Sequence, residues 1–466
     1  MSHKKSSQTR GAHRETAIRG HIVTFTGDPF FHPANESLRD IPDGLILVQD
    51  GITQAVGPYA SLMAQLDKNV VVTTYSDGLI TAGFIDMHTH YVQASIIASF
   101  GKHLIDWLNH YTFPEEARFS NREYATTIAR IFFDELLRNG TTTALVFCSV
   151  SPQSVDAFFE EASRRNMRML GGKVLMDRNA PPPVLDTVQS GYDASKRLIA
   201  QWHGYGRNTY AITPRFAPTS SEAQLEAAAA LHREHPDTIL QTHVSENIAE
   251  VDWVQSLYPN RQGYLDVYDH FGLLGSRTVL AHGVHLTARE NARCSETGTA
   301  IAHCPTSNSF LGSGLFRVEL AKDTEKPIRV GLGTDIGAGT RFSMLETMGE
   351  AYKVAEMTGF SLDGVKLLYL ATLGAAESLG IADKVGSIAV GKEADFVVLD
   401  TKATPLLAFR SQQVESLQEQ LFLLEILGDD RAVAATYIAG ELAYRRARQA
   451  PPPHPNKPST SKKEPV

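Results

Sequence analysis

Short apolar runs in this chain end in residues of the types that bind metal ions. Residues 84–87 lead into His88 and His90, residues 239–242 into His243, residues 278–281 into His282, and residues 330–334 into Asp335. Short apolar runs of this kind are typical of buried strands. Parallel strands that all deliver polar side chains at their C-terminal ends describe the active face of a (β/α)₈ barrel. The pattern therefore predicts the fold and the position of a site together.

Candidate strands and helices alternate through the middle of the chain. The eight candidate strands are residues 79–87, 142–148, 169–176, 209–213, 238–242, 278–281, 299–302 and 328–334. A helical pattern over residues 123–138 ends at Gly140. Residues 219–222 predict a capping box that opens an alanine-rich helix, which stops at Pro236. Eight strand–helix units over about 300 residues are the size of one α/β TIM barrel.

Both ends of the chain have β-type patterning instead. Candidate strands are residues 18–25, 44–49, 52–56, 70–72, 394–400 and 432–438. We expect a composite β-sandwich domain from residues 16–78 and 387–448, which the barrel of residues 79–386 interrupts. Residues 1–15 and the Pro-, Ser- and Lys-rich residues 449–466 are expected to be disordered, because they have little to bury.

Composition and charge exclude several classes of protein. The formal net charge of −8 over 466 residues gives a nucleic-acid partner no electrostatic support. The three cysteines, Cys148, Cys294 and Cys304, form no Cys-x-x-Cys pair, which excludes a thiolate zinc knuckle and argues against a disulfide framework. Residues 1–19 lack the apolar core of a secretory signal, and no apolar run reaches the roughly 20 residues that span a bilayer. We expect a cytoplasmic protein with neither nucleic acid nor membrane as a partner.

The histidines and the aspartate at the strand ends suit a single metal ion. His88 and His90 are two residues apart on a strand, so their side chains face the same way. One such pair is a weak signal, since a lone histidine is usually structural. Here His243 and Asp335 arrive at the same face from other strands, and this agreement favours a site. Three imidazoles and one carboxylate suit zinc with room for a water, whose pKa would fall to ~7.

These same residues carry a family resemblance. Residues 83–90, His243, His282 and residues 333–335 resemble the amidohydrolase superfamily. The resemblance extends over the barrel and the split β domain, and it implies a metal-dependent hydrolase. Residues 213–215, at the end of the fourth strand, lack the lysine that bridges two metals in the binuclear members. The resemblance therefore implies one metal per subunit, Zn²⁺ or alternatively Fe²⁺.

Further stretches narrow the resemblance to the guanine deaminases. They are residues 90–93, 107–115, 213–216, 242–247, 264–268 and 303–308. The resemblance implies guanine as substrate, a role in purine catabolism and a homodimer. Gln93 can read a ring edge with both a donor and an acceptor, and Arg215 can donate to an oxygen. Phe216 offers a stacking face, although an ordinary salt bridge for Arg215 and an ordinary core position for Phe216 remain open.

The hypothesis for the reaction gives each polar residue a role. Asp335 accepts a proton from the attacking water, and Glu246 acts as general acid and base toward the ring nitrogen N3 and the leaving amine. His282 stabilises the charge that develops. His243, Glu246 and Asp335 would also contact the substrate. For Glu246, compensation of a helix N-terminus is the competing interpretation.

Two alternative functions stay open at this point. A related mononuclear amidohydrolase could act on another ring, such as 8-oxoguanine, an s-triazine, cytosine or a thiolated adenosine. A non-enzymatic scaffold on the same fold is the other alternative. It is disfavoured because the candidate ligands and Glu246 are all present.

Overall fold

The computed structural model describes residues 15–66, 70–101 and 103–447. Apart from Glu15, the predicted disordered ends lie outside the described residues. The strands are β1 (Glu15–Phe25), β2 (Leu38–Gln49), β3 (Ile52–Pro58), β4 (Val72–Ala82), β5 (Phe84–His90), β6 (Thr141–Phe147), β7 (Arg168–Gly172), β8 (Val174–Leu175), β9 (Thr209–Pro214), β10 (Ile239–Val244), β11 (Thr278–His282), β12 (Ala300–His303), β13 (Val330–Leu332), β14 (Phe396–Asp400), β15 (Val433–Ile438) and β16 (Glu441–Arg445).

Helices cover the barrel and connect its strands. The α-helices are α1 (Ala34–Ser37), α2 (Tyr59–Leu62), α3 (Leu104–Trp107), α4 (Phe113–Ala117), α5 (Arg122–Arg138), α6 (Pro152–Arg164), α7 (Val188–Trp202), α8 (Glu222–Glu234), α9 (Ile248–Leu257), α10 (Tyr264–His270), α11 (Ala288–Thr297), α12 (Pro305–Phe310), α13 (Val318–Ala321), α14 (Met344–Met357), α15 (Gly364–Leu370), α16 (Leu373–Ser378), α17 (Pro405–Ser411) and α18 (Leu417–Leu427). Within the described ranges, no helix is long and apolar enough to cross a membrane.

The central strands form a nearly closed parallel barrel. Their hydrogen-bonded order is β13-β12-β11-β10-β9-β7-β6-β5, with the short β8 pairing beside β9. Backbone hydrogen bonds close the remaining gap: Asp335 N–H donates to the His88 carbonyl at 2.8 Å, and His90 N–H donates to the Ile336 carbonyl at 2.9 Å. The predicted (β/α)₈ barrel is confirmed, and each of the eight predicted strand regions contributes a strand.

The first predicted strand, residues 79–87, is in fact two strands. Residues up to Ala82 complete β4 in the other sheet, and β5 begins at Phe84. Gly83 lies at the crossing, where an added Cβ would stand 2.2 Å from the Thr142 hydroxyl oxygen. Its backbone N–H donates to the Asp395 carbonyl. The close approach lets the chain pass from one sheet to the next without a loop.

The predicted capping box at residues 219–222 is wrong, although the helix it announced is present. Ser221 is the N-cap residue of α8, and its side chain accepts a hydrogen bond from Gln224 N–H. Thr219 belongs to the preceding 3₁₀ turn. The helix ends at Glu234, two residues before Pro236, as the missing N–H of proline dictates.

The two ends of the chain meet in one composite sheet. Its strand order is β16-β15-β14-β4-β1-β2-β3. The C-terminal part joins the N-terminal part where β14 pairs antiparallel with β4, and β4 pairs parallel with β1. The composite β domain is confirmed. Its described strands form one continuous mixed sheet, where the two packed sheets of a sandwich were expected.

Alternate residues of the barrel strands fill the barrel interior. They include Ile85, Met87, Leu145, Leu170, Ala211, Ile239, Val279, Ala300 and Ala302. The intervening apolar residues, such as Leu240, Leu280 and Ile301, pack in the larger cluster with the helices. Because successive residues of a strand face opposite sides, a regular strand continues its interior row upward to the mouth of the barrel.

Candidate metal centre and active site

A β-bulge near the end of β5 turns His88 and His90 toward the barrel axis. Met87 belongs to the interior filling, so strict alternation would point both histidines outward. The pairing of β5 with β6 shifts by one residue between Asp86 and Thr89. An extra residue in one strand reverses the alternation beyond it. Both imidazoles therefore face the interior, side by side, as their spacing of two predicted.

Close contact between the last and first barrel strands places Asp335 beside these histidines. An added Cβ at Gly333 would lie 2.9 Å from the Cβ of His88, so only glycine fits there. The Thr334 N–H donates to Asp86 Oδ1 at 2.9 Å, and the Thr334 hydroxyl donates to Asp86 Oδ2. Burial raises the pKa of Asp86 to about 6. These contacts clamp the two strands together directly under the candidate ligands.

Four candidate ligand atoms surround one point. The His90 Nε2 atom lies 3.2 Å from His88 Nε2 and 3.3 Å from His243 Nε2. Asp335 Oδ1 lies 3.2 Å from His88 Nε2 and 3.3 Å from His90 Nε2. His88, His90 and Asp335 thus form one group with the spacing of metal ligands, and His243 Nε2 adjoins this group through His90. His88, His90, His243 and Asp335 could therefore hold a metal ion. A second group of suitable spacing is formed by His88, His243 and His282.

The protonation of these groups suits metal binding. Burial lowers the pKa of His88, lowers that of His90 to about 3, and lowers that of His243 well below its ordinary value. Burial alone would raise the pKa of Asp335, but the facing imidazoles hold that pKa well below its ordinary value. Neutral imidazole and ionised carboxylate are the forms that coordinate metals. In addition, His243 Nδ1–H donates to the Arg215 carbonyl at 2.7 Å, which leaves Nε2 free to coordinate.

His282, Glu246 and Asp335 form a chain of polar groups beside the candidate ligands. The His282 Nδ1 atom hydrogen-bonds Asn308 Oδ1 at 2.9 Å, and its Nε2 lies 3.4 Å from Glu246 Oε2 and 3.7 Å from Asp335 Oδ2. His282, Asp335 and Ser245 all have left-handed backbone, with φ of 71°, 52° and 47°. Non-glycine residues in this region cost about 1–3 kcal/mol each and cluster at active sites.

Burial and the charge of Asp335 raise the pKa of Glu246 well above its ordinary value. Helix α9 begins after the N-cap Asn247, and its capping box is completed by Glu250. Glu250 Oε2 accepts the backbone N–H of Glu246 at 2.9 Å. Glu250, rather than Glu246, therefore compensates the N-terminus of α9, which was the competing interpretation for Glu246. The Glu246 carboxylate itself contacts the Ser313 hydroxyl at 3.4 Å and faces His282.

Gln93 and Arg215 lie together above the candidate ligands and share a partner. The Gln93 amide N–H donates to Glu116 Oε1 at 2.9 Å. Arg215 Nη1 donates to both oxygens of Glu116, at 2.9 and 2.8 Å. All three side chains are almost fully buried. Arg215 therefore does form a salt bridge, the alternative that the sequence left open. Its partner Glu116 also binds Gln93, so the salt bridge keeps Arg215 beside Gln93 in the site.

Aromatic rings form the walls around these polar groups. The Phe147 ring centre lies 5.0 Å from that of His88, 4.6 Å from His90 and 4.7 Å from His243. The Phe216 ring lies edge-on to His243 at 6.4 Å. Phe216 belongs to an apolar cluster with residues of the connection after β5, among them Leu104, Trp107, Leu108 and Phe113. Apolar surroundings of this kind lower the local dielectric constant and strengthen the electrostatic interactions between the polar groups.

The structure brings together all the site residues that were predicted from the sequence. The residues that sequence reasoning missed are Glu116, Phe147, Glu250, Asn308 and Ser313. Asn308 stood within a stretch that carried the resemblance, and the stretch 107–115 stopped one residue before Glu116. Ser313 lies in a loop and Glu250 in the first turn of a helix. Serines and glutamates are common at such positions in many proteins, so the sequence gives no signal for either residue.

The chain is similar to known proteins over most of its length. The family model for the amidohydrolase family matches residues 79–443. A guanine deaminase of Escherichia coli (strain K12) is 50% identical over 438 residues, which are 94% of this chain and 99% of that protein. The solved structure of the E. coli guanine deaminase superposes with a TM-score of 0.90, covering 93% of this chain and 100% of the other.

Two further solved structures show the same architecture. The guanine deaminase of Bradyrhizobium japonicum is 40% identical with a TM-score of 0.90, over 93% of this chain and 100% of the other. The guanine deaminase of C. acetobutylicum, solved with guanine in its active site, is 27% identical with a TM-score of 0.81. The match covers 92% of this chain and 100% of the other. The family model spans the whole barrel with its candidate ligands, and so the chain belongs to the amidohydrolase family.

Proposed function

We propose that this protein deaminates guanine hydrolytically to xanthine and ammonia. The observation that carries the proposal is the placement of Gln93 and Arg215, which can hydrogen-bond a purine edge, beside the clustered candidate metal ligands. The likeness to proteins named guanine deaminase supports the same substrate. Among the alternatives, a scaffold without activity would not need buried carboxylates and imidazoles held at strained backbone positions.

We propose Zn²⁺ as the metal, one per subunit, with Fe²⁺ as the alternative. His88, His90, His243 and Asp335 would hold it, because each donor atom lies within 3.3 Å of another donor of the set. When bound, the ion supplies Lewis acidity that makes water a nucleophile near neutral pH. The two carboxylate oxygens of Asp335 have different neighbours: Oδ1 faces His88 and His90, while Oδ2 faces His282.

Asp335, His282 and Glu246 carry the proton transfers in this proposal. Asp335 Oδ2 takes a proton from the water that attacks guanine C2. Glu246, whose raised pKa favours the protonated form, delivers its proton to ring N3. It then takes the hydroxyl proton of the tetrahedral centre and passes this proton to the leaving amine, and the proton held by Asp335 finally restores Glu246. His282 Nε2 lies between the two carboxylates and stabilises the charge of the tetrahedral centre. The sum is guanine plus water giving xanthine plus ammonia.

Substrate binding is assigned to the polar and aromatic groups around the metal centre. Arg215 donates to guanine O6, Gln93 pairs with the adjacent ring edge, and Phe216 bounds the ring plane. His243, Glu246 and Asp335 contact the reacting end of the ring. A role in purine catabolism, a homodimer and a cytoplasmic location belong to the same proposal, following the family resemblance. Light scattering at the mass of two chains supports the dimer, and a monomer contradicts it.

The test is turnover of guanine by the purified protein, followed as xanthine and ammonia, with a metal-stripped control. We expect turnover that disappears on stripping and returns with Zn²⁺. Reconstitution with Fe²⁺ in parallel decides between the two metals. A protein with bound metal that leaves guanine intact but converts 8-oxoguanine, an s-triazine or cytosine would overturn the proposed substrate while keeping the reaction class.

A further inference from the structure

We infer that Glu116 is a positioning residue that fixes how Gln93 and Arg215 read the substrate, an inference that rests on the proposed function. Glu116 comes from α4, in the long connection after β5, and only 1% of its surface is exposed. Gln93 follows the first barrel strand and Arg215 follows β9. A single buried carboxylate thus ties together two substrate-reading residues from separate strands.

The hydrogen bonds of Gln93 determine the orientation of its amide. The amide nitrogen donates to Glu116 Oε1 at 2.9 Å, and the amide oxygen accepts the Gly337 N–H at 3.2 Å. Gly337 packs closely against Gln93, since an added Cβ would stand 2.5 Å from the backbone carbonyl oxygen of Gln93. Because the oxygen is held by a donor and the nitrogen by an acceptor, the amide cannot flip without losing both bonds. One N–H and one lone pair remain for a ligand, in known positions.

Glu116 acts differently on Arg215. Both hydrogen bonds between them use Nη1, so Glu116 occupies neither Nε nor Nη2. A buried unpaired cation is costly. Glu116 neutralises this charge, so the pair presents directed donors with no net charge. Such a surface favours a neutral lactam edge, as in guanine, over an anionic ring.

The neighbouring Glu115 provides an internal control. It is also in α4 and also buried, with 6% of its surface exposed. Its carboxylate binds the Ser95 hydroxyl at 2.5 Å, Arg118 Nη1 at 2.8 Å and the Tyr124 hydroxyl. Glu115 therefore secures the base of the connection, while Glu116 faces the residues that read the substrate.

The experiment compares Glu116→Gln with Glu115→Gln in the metal-loaded protein. The measurements are kcat and KM for guanine, the inhibition constant of 2-aminopurine, which lacks O6, and metal content. For Glu116→Gln we expect kcat/KM for guanine to fall roughly 10- to 150-fold, mainly through KM, the range for hydrogen bonds to charged groups. Binding of 2-aminopurine should change much less, and metal content should not change. Glu115→Gln should keep the wild-type KM.

A second variant covers the case in which Glu116→Gln does not fold. Glu116→Asp keeps the charge that neutralises Arg215 but withdraws the carboxylate by one methylene, so KM for guanine should still rise. Equal losses for guanine and 2-aminopurine, or an unchanged KM, would overturn the positioning role. If the metal-loaded wild-type protein leaves guanine intact, the proposed function itself fails, which is a separate result.

Discussion

Buried and partly buried charged groups cluster at both ends of the barrel, but the two clusters pair in opposite ways. At the N-terminal end, Arg168 and Arg207 bind Glu393, and Arg207 also binds Asp395. These four side chains join the bottom of the barrel to the segment that enters β14. Each cation there has a carboxylate partner in ion-pair geometry, and the network connects the barrel to the composite sheet.

At the C-terminal end, like groups face one another. Imidazole nitrogens of His88, His90 and His243 lie within 3.3 Å of a neighbouring imidazole, and Glu246 is buried near the charge of Asp335. Buried polar groups that do not satisfy each other cost stability. The comparison teaches that burial of charge has two purposes here: at the bottom it holds domains together, and at the mouth it prepares binding and catalysis.

The sharpest test of the comparison removes one candidate ligand at the mouth. For His88→Ala we expect loss of bound metal and a fall in activity of at least about 10⁴-fold, because the ion supplies several kcal/mol of stabilisation to the transition state. Metal analysis and turnover measure both effects. His270→Ala, an exposed histidine at the end of α10, should leave both unchanged. A His88→Ala protein with full metal content would remove His88 from the ligand set.

The next test separates chemistry from metal binding. For Glu246→Gln we expect kcat to fall about 10²- to 10⁴-fold, the range for a lost general acid–base group. Metal content should remain that of the wild type, since Glu246 contacts His282 and Ser313 rather than the four converging ligand atoms. Single-turnover kinetics with guanine measure the chemical step directly. A variant with wild-type kcat would exclude Glu246 from the proton transfers.

The fold and much of the site could be predicted because they follow from local rules. Apolar runs of strand length that end in His and Asp predict a barrel mouth, and the resemblance then narrows the chemistry. The region that gave the least information was the connection after β5. Glu116 acts through contacts to Gln93 and Arg215, which are distant in sequence. No local pattern distinguishes it from Glu115 beside it.

Irregular backbone conformations at the mouth of the barrel also could not be predicted from the sequence. Alternation through Met87 would point His88 outward, and only the bulge before Thr89 reverses it. Similarly, a left-handed backbone re-aims His282 at the end of β11. Such features arise when closure of the barrel determines the local geometry, so they cannot be predicted from the propensities of single residues.

At the other end of the barrel, a variant should damage stability and spare activity. Arg207→Ala leaves the buried Asp395 without its cation and the partly buried Glu393 with one cation fewer, and we expect the free energy of unfolding to fall by about 3–5 kcal/mol. The kcat of the folded protein should not change. Arg293→Ala, which breaks an exposed pair with Asp269, should cost less than about 1 kcal/mol. A reduced kcat in Arg207→Ala would show that the two ends are coupled.

The smallest expected effect concerns Glu250, which combines both kinds of burial. Its carboxylate is hydrogen-bonded by Tyr264 and by the N–H of Glu246, yet burial and the neighbouring Glu246 raise its pKa from 4.5 to about 7. The folded protein therefore holds a proton that the unfolded chain releases at lower pH. The stability that this proton contributes is complete below pH 4.5 and is lost as the pH rises through about 7.

The loss amounts to about 3 kcal/mol of unfolding free energy over that interval. Glu250→Gln cannot titrate, so its stability should decline less steeply with pH than that of the wild type, while its amide oxygen can still accept the Glu246 N–H. Urea unfolding at several pH values, with both proteins equally metal-loaded, measures the two slopes. Identical slopes would mean that the partners of Glu250 stabilise its carboxylate as completely as the arginine stabilises Asp395 at the bottom of the barrel. The contrast between the two ends would then be confined to the groups around the metal centre.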